Sequence, residues 1–210
     1  MTLQPEDLAD TALEALLALE GTRKMVALAG PPAAGKSTVS ALLRDRLVGR
    51  DSSAEVLPMD GFHLDNSLLS ARGLLDRKGA PDSFDAAGFV HLMRRAASGE
   101  PLVFPIFDRE RDIAIAGAGY LPAETEFVLV EGNYLLLDAA PWSDLRALWD
   151  LAIWIDAAPS QLEDRLTERW LTAGLPEAEA RARVERNDLP NAELIRRTGG
   201  FADLRLSSDA

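Results

Sequence analysis

The chain has 210 residues, 47% of them hydrophobic, without a low-complexity run or a long Gly/Ser linker, which fits one sizeable α/β domain better than two small ones. Its formal charge of −12 repels nucleic-acid phosphates, so no nucleic-acid partner is expected, and its lack of cysteine excludes disulfides, thiol catalysis and a Cys-based zinc site. Met1 to Glu20 carries acids and no basic leader, and no apolar stretch approaches the roughly 20 residues that span a bilayer, so a cytoplasmic location with no membrane partner is the expectation.

In chain order, Leu8, Leu13, Leu16, Leu17 and Leu19 behind Pro5-Glu6-Asp7 predict an amphipathic helix over residues 5–20, ended by Gly21. Residues 25–29 form a short continuous apolar run, the pattern of a strand buried on both faces. Helical spacing returns over 39–48. Apolar runs at 54–59, 127–130 and 151–155 each end in an acid, namely Asp60, Glu131 and Asp156. Helical patterns at 85–98, 141–148, 159–173 and 176–187 lie between and after them. Such alternation implies parallel strands joined by right-handed crossovers, with ligands gathering at the strands' carboxyl ends. Residues 101–126 break the alternation and predict irregular strands or a hairpin, with Gly117 and Gly119 as turn signals. Asp188-Leu189-Pro190 predicts a helix break, with Asn191 capping a last helix before a final strand at 201–206.

The chemistry concentrates first at Gly30 to Ser37, GPPAAGKS, between a buried-type strand and a helix. Wrapping a nucleotide's β- and γ-phosphates in backbone N–H groups needs a loop that turns sharply and approaches closely, which Gly30 and Gly35 permit. Lys36 places a cation on the phosphate oxygens, Ser37 offers a hydroxyl to Mg²⁺, and the helix N-terminus faces the anion. The alternative is a strand-to-helix turn that merely needs glycine.

Four further steps follow the loop in order: Met59-Asp60-Gly61-Phe62-His63; Arg77-Lys78-Gly79-Ala80-Pro81-Asp82-Ser83-Phe84-Asp85; Phe104-Pro105-Ile106-Phe107-Asp108; and Val130-Glu131-Gly132. Together they resemble the uridine kinase, phosphoribulokinase and pantothenate kinase group of P-loop kinases, from about residue 22 to about 200. Within that group the chain is most similar to the fructose-transport-system kinases, fructokinase-like bacterial proteins. The resemblance implies a three-layer α/β P-loop fold with a five-stranded parallel core sheet and a helical lid at about 165–190. Residues 1–21 would be a flanking helix and 22–210 a single kinase domain. It implies ATP and Mg²⁺ as cofactors and γ-phosphoryl transfer to a hydroxyl of a small-molecule acceptor, with a homodimer left open.

Phosphoryl transfer is largely positioning and charge neutralisation, and the candidate residues divide accordingly. Gly30, Ala33, Ala34, Gly35, Lys36, Ser37 and Thr38 form the nucleotide loop. Arg165 and Arg169, four apart on one helix face, match the family's lid arginines, Arg165 toward the nucleotide and Arg169 toward the transferring group; pairing with Glu163, Asp164 or Glu168 is the alternative. Asp60 is the expected base for the acceptor hydroxyl, or else an acid that holds Mg²⁺ through water. Glu131 is expected at the metal, with Ser37, or at the acceptor, a strand-end structural acid being the alternative. His63 and Asp82 are candidate acceptor contacts, although a lone histidine is often incidental; Arg109 and Arg111 could both meet acceptor hydroxyls or an anionic group, or equally be a solvated loop pair; and Asp85 is better read as a helix cap. His91 reads as structural or exposed. Asn187 and Asn191 resemble a family element near the nucleotide, although capping explains both.

The chain departs from the uridine kinases at Pro31-Pro32-Ala33-Ala34 and at DGFH, where a small-polar loop and DSFY are usual. It departs from the pantothenate kinases at Phe107 and Arg109, where tyrosine and histidine are typical. These departures speak against simple reuse of either pocket. A sugar such as fructose, or another polyol, suits acceptors of hydrogen bonds such as Asp60, Asp82 and Glu131. A kinase of pantothenate or a nucleoside is one alternative; a P-loop switch or chaperone-type NTPase is another, although no NKxD guanine-reading motif is present.

Overall fold

A computed structural model describes residues 4–197 and 201–208. Residues 1–3 of the flanking segment, and 198–200 and 209–210 of the expected kinase domain, lie outside the described residues. Helix α1 (Pro5–Leu17) begins with proline in its first turn, where the missing N–H costs nothing, and Asp7 accepts the Gln4 backbone N–H at 2.9 Å. It stops three residues short of the predicted 20. Strand β1 (Lys24–Ala29) leads into α2 (Lys36–Val48), which starts earlier than the apolar spacing shows because its first turn is polar, Lys36-Ser37-Thr38.

Strand β2 (Ala54–Pro58) ends two residues before Asp60, since Met59–Phe62 form a 3₁₀ turn. Asp60 therefore lies in a tight turn and not at a strand end. The turn is forced by contact: a Cβ on Gly61 would lie 2.1 Å from the Pro105 carbonyl oxygen, so only glycine admits the neighbouring backbone. Next come α3 (Asn66–Ala71) and α4 (Ala86–Ala97), the latter capped by Asp85, whose carboxylate accepts the Gly88 N–H at 2.9 Å. The expected cap at Asp85 is present.

Strands β3 (Leu102–Asp108) and β4 (Ile113–Leu121) form the antiparallel hairpin expected in the irregular segment. Its turn is at 109–112, not at the glycines. Gly117 and Gly119 lie inside β4, and the Phe104 ring across the ladder fills the space where a Gly119 side chain would stand. After β5 (Phe127–Gly132), residues Trp142–Leu148 form 3₁₀ turns where the spacing predicts an α-helix. Strand β6 (Leu151–Asp156) follows, then α5 (Pro159–Thr172) and α6 (Glu177–Arg183). A π-helical turn at Val184–Asp188 carries the chain into α7 (Leu189–Arg196), and β7 (Leu204–Ser207) ends the described chain. No break occurs at Asp188-Leu189-Pro190. The extra residue of the π turn and the place of Pro190 in the first turn of α7 absorb the proline, so Asn191 is inside the helix and caps nothing.

Five strands make one parallel sheet in the order β2-β5-β1-β6-β7. Alternate residues of the central strands feed two cores. Met25, Ala27, Val128, Val130 and Trp154 join α4 on one face, while Val26, Leu28, Leu129 and Ile153 join α1, α2 and α5 on the other. Both faces being covered explains why β1 and β5 read as unbroken apolar runs. Register then matters for the site. Ala29 pairs with Gly132 and Pro58 with Glu131, so β1, β5 and β2 end level, and the segments that follow them meet at one edge.

Candidate active site

The loop after β1 turns back against β6. Gly30 adopts φ +152°, and a Cβ there would lie 1.9 Å from the Ile155 carbonyl oxygen, so backbone packing and conformation both require glycine. Ala33 takes the left-handed region at φ 63°, and Gly35 at φ 97° starts α2. Lys36 then points inward. Its side chain is buried, and its three N–H donors reach the Gly30 carbonyl (3.0 Å), the Pro31 carbonyl (2.8 Å) and Asn133 Oδ1 (2.8 Å). Burial lowers its pKa to about 8 despite the carboxylates of Glu131 and Asp60 nearby.

Glu131, 8% exposed at the end of β5, accepts a hydrogen bond from Ser37. Burial and then the Asp60 charge push its pKa up, while Lys36 pulls it down. Two carboxylates and one lysine thus share a small volume, a set that favours added positive charge. Arg109 supplies some of it, its guanidinium donating to Asp60 Oδ2 at 2.9 Å from the hairpin turn. That pair is about half exposed on the arginine side and is worth no more than about 1 kcal/mol, so Arg109 can exchange partners at little cost.

These groups line two adjoining cavities. The first, about 280 Å³, is walled by the loop from Pro32 to Thr38, by Asn133 and by Arg165 and Arg169. The second, about 390 Å³, has an apolar wall of Pro58, Ile106 and Phe107. Ser37, Asp60, Arg109 and Glu131 belong to both. Arg165 donates to the Ala33 carbonyl (3.2 Å) and to Gln161 Oε1 (3.0 Å), and not to the acids that were its alternative partners. Burial, followed by the like charge of Arg109, lowers the Arg169 pKa.

Of the residues singled out in the sequence, Ala33, Gly35, Lys36, Ser37, Thr38, Asp60, Arg109, Glu131, Arg165 and Arg169 all line these cavities. Gly30 and Ala34 shape the loop from behind. His63 stands beside the second cavity without lining it: its ring packs at a tilt against Phe84 (centroids 4.0 Å apart) and Phe107 (4.7 Å), and Nδ1 meets the Asp60 carbonyl at 2.8 Å. A carbonyl can only accept, so Nδ1 carries a proton, and burial lowers the pKa of the ring while the Asp60 charge opposes it. Asp82 is half exposed, paired with Arg77 at 3.1 Å, and outside both linings. Arg111 pairs with Asp108 at 2.8 Å, and His91 is exposed on α4. Asn187 is buried in the π turn and donates to the Lys78 carbonyl at 2.8 Å. Asn133 is a site residue that the sequence reading does not single out; its only signal is its place two residues after Glu131 at a strand's carboxyl end.

No family model matches the chain. Among solved structures, a candidate fructose transport system kinase from Silicibacter sp. TM1040 is 47% identical with a TM-score of 0.86, covering 97% of this chain and 98% of that one. The Escherichia coli protein YggC, which is uncharacterised, is 37% identical over 82% of this chain and 73% of its own. A candidate uridine kinase of Schizosaccharomyces pombe is 32% identical over 88% of this chain and 83% of its own, and a pantothenate kinase of Leifsonia xyli is 30% identical over 91% and 67%. Phosphoribulokinase from Rhodobacter sphaeroides shares the fold, with a TM-score of 0.57 at 12% identity. With a phosphate loop, a parallel five-stranded sheet and relatives of this kind over most of its length, the chain belongs to the P-loop kinase group of the uridine kinases, phosphoribulokinases and pantothenate kinases.

Proposed function

We propose that the protein transfers the γ-phosphoryl group of ATP, with Mg²⁺, to a hydroxyl of a small molecule, and that the acceptor is a sugar or another polyol. One observation carries the reading: the cavity lined by the phosphate loop adjoins a second cavity, and Ser37, Asp60, Arg109 and Glu131 line both as a shared wall. A donor phosphate in the first and a hydroxyl in the second would meet at that wall.

Ser37 and Glu131, with Asp60 close by, would hold Mg²⁺. All are oxygen donors, and among the described residues no group of three or more acidic or histidine ligands exists, which suits an ion that keeps waters and takes the rest of its shell from phosphate oxygens. Bound there it would neutralise charge on the β- and γ-phosphates and relieve the repulsion between Glu131 and Asp60. Lys36 would exchange its loop carbonyls for phosphate oxygens, and Arg165 and Arg169 would cover the transferring group. Asp60 would take the acceptor's proton as its oxygen bonds to the γ-phosphorus and the bond from that phosphorus to the bridging oxygen breaks, leaving ADP. Phe107 lacks a hydroxyl and Arg109 is a permanent cation, which speaks against pantothenate, and the DGFH step in place of DSFY speaks against a nucleoside, so a polyol is preferred here.

The test is a coupled ADP-release screen over sugars and sugar alcohols, with pantothenate and nucleosides in the same plate. ADP release that depends on a polyol is expected. Release with pantothenate or a nucleoside alone would overturn the acceptor class. Tight ATP binding with no acceptor-dependent release would favour the switch or chaperone-type reading.

A further inference from the structure

Lys78 is a buried cation that the phosphate chemistry does not use. Its side chain is 8% exposed, and its three N–H donors reach Asn66 Oδ1 (2.7 Å), the Asp112 carboxylate (2.8 Å) and the Asp112 carbonyl (3.2 Å). Asn66 donates in turn to the other Asp112 oxygen at 2.7 Å, so the aspartate is gripped by both. Asp112 ends the hairpin turn in the left-handed region, φ 55°, three residues after Arg109. The same ammonium lies 5.0 Å over the Phe107 ring, which packs at a tilt against His63, and His63 donates to the Asp60 carbonyl.

A side chain needed only for packing would be apolar here, because desolvating a charge is costly unless acceptors are arranged for it. The lysine's acceptors all belong to the hairpin turn or to the α3 residue that holds that turn. Its backbone acts separately, since the Lys78 carbonyl accepts from Asn187 whatever the side chain is. We infer that Lys78 is a positioning residue, one that clamps the 109–112 turn and aligns Phe107 and His63, so that Arg109 and Asp60 meet at the wall between the two cavities. The inference rests on the proposed kinase reading for the roles of Arg109 and Asp60, whereas the clamp itself does not.

Two variants test it, Lys78→Met, which keeps length and removes the donors, and Asp112→Asn, which keeps shape on the exposed side of the turn. Hydrogen exchange of the amides at 108–113 should speed up about tenfold or more in both. Affinity for Mg²⁺ with a non-hydrolysable ATP analogue, read by calorimetry, should stay within about twofold, while kcat/KM for the acceptor falls about tenfold or more. That split between donor and acceptor is one that a general loss of structure would not produce. Unchanged exchange at 108–113 in both variants, or a parallel loss of nucleotide affinity, would overturn the assignment. If the wild type shows no acceptor-dependent ADP release, the proposed function fails and the exchange measurement alone decides on the clamp.

Discussion

Lys36 shows how far one side chain can be read from its surroundings. Its ammonium is fully served by two loop carbonyls and Asn133, yet burial holds its pKa at about 8, well under a free lysine's. The sign of the pH effect follows. A folded-state pKa lowered by burial means that the protonated form is held at a cost below about pH 8, a cost relieved as pH rises through that value and toward the free lysine's. Phosphate binding needs the proton, so nucleotide affinity should fall as pH rises through about 8, and calorimetry across that range should show no such fall in Lys36→Ala. At neutral pH, Lys36→Ala should weaken nucleotide binding about a hundredfold, the loss of a charge-assisted contact. Asp60→Asn is expected to spare nucleotide affinity and reduce transfer about a thousandfold. Turnover at the wild-type rate in that variant would remove Asp60 from the role of base.

At the scale of elements, the site is legible where chemistry needs a particular residue type at a particular offset, as in GPPAAGKS. It is illegible where a neighbour from elsewhere in the chain decides. Gly30 belongs to both cases, since phosphate wrapping predicts a glycine but the Ile155 carbonyl makes it obligatory. Gly30→Ala should destabilise the fold by about 3 kcal/mol, measured by urea denaturation, through overpacking and backbone strain together. Gly61 sits in the family-like DGFH step, yet its structural reason is the Pro105 carbonyl on a distant strand, for which no local pattern exists. Likewise Pro190 reads as a helix break, and the π turn before it lets the helix continue.

For the whole molecule, a charge of −12 opposes the approach of ATP, and the fold answers it locally by gathering Lys36, Arg109, Arg165 and Arg169 around one cavity. These come from the first turn of α2, the hairpin turn and α5. Because a ligand there would tie all three together, Mg²⁺ and ATP at about a hundred times Kd should stabilise the protein by about 2.7 kcal/mol and raise Tm by about 5–10 °C. The shift should shrink when EDTA removes the metal and, at the same ligand concentration, fall to about 0.4 kcal/mol in Lys36→Ala; an equal shift without Mg²⁺ would argue against Ser37 and Glu131 as its ligands.

The sequence by itself determined the alternation of strands and helices, the phosphate loop and the acids after later strands, because apolar periodicity and loop chemistry are local. Tertiary structure alone decided that β1, β5 and β2 end level, that Asp60 lies in a 3₁₀ turn with its carboxylate paired to Arg109, that Asn133 completes the lysine's shell, and that Asp82 stays outside both cavities. Each of these depends on a partner far away in the chain, and sequence spacing carries no record of which distant backbone or side chain will stand opposite.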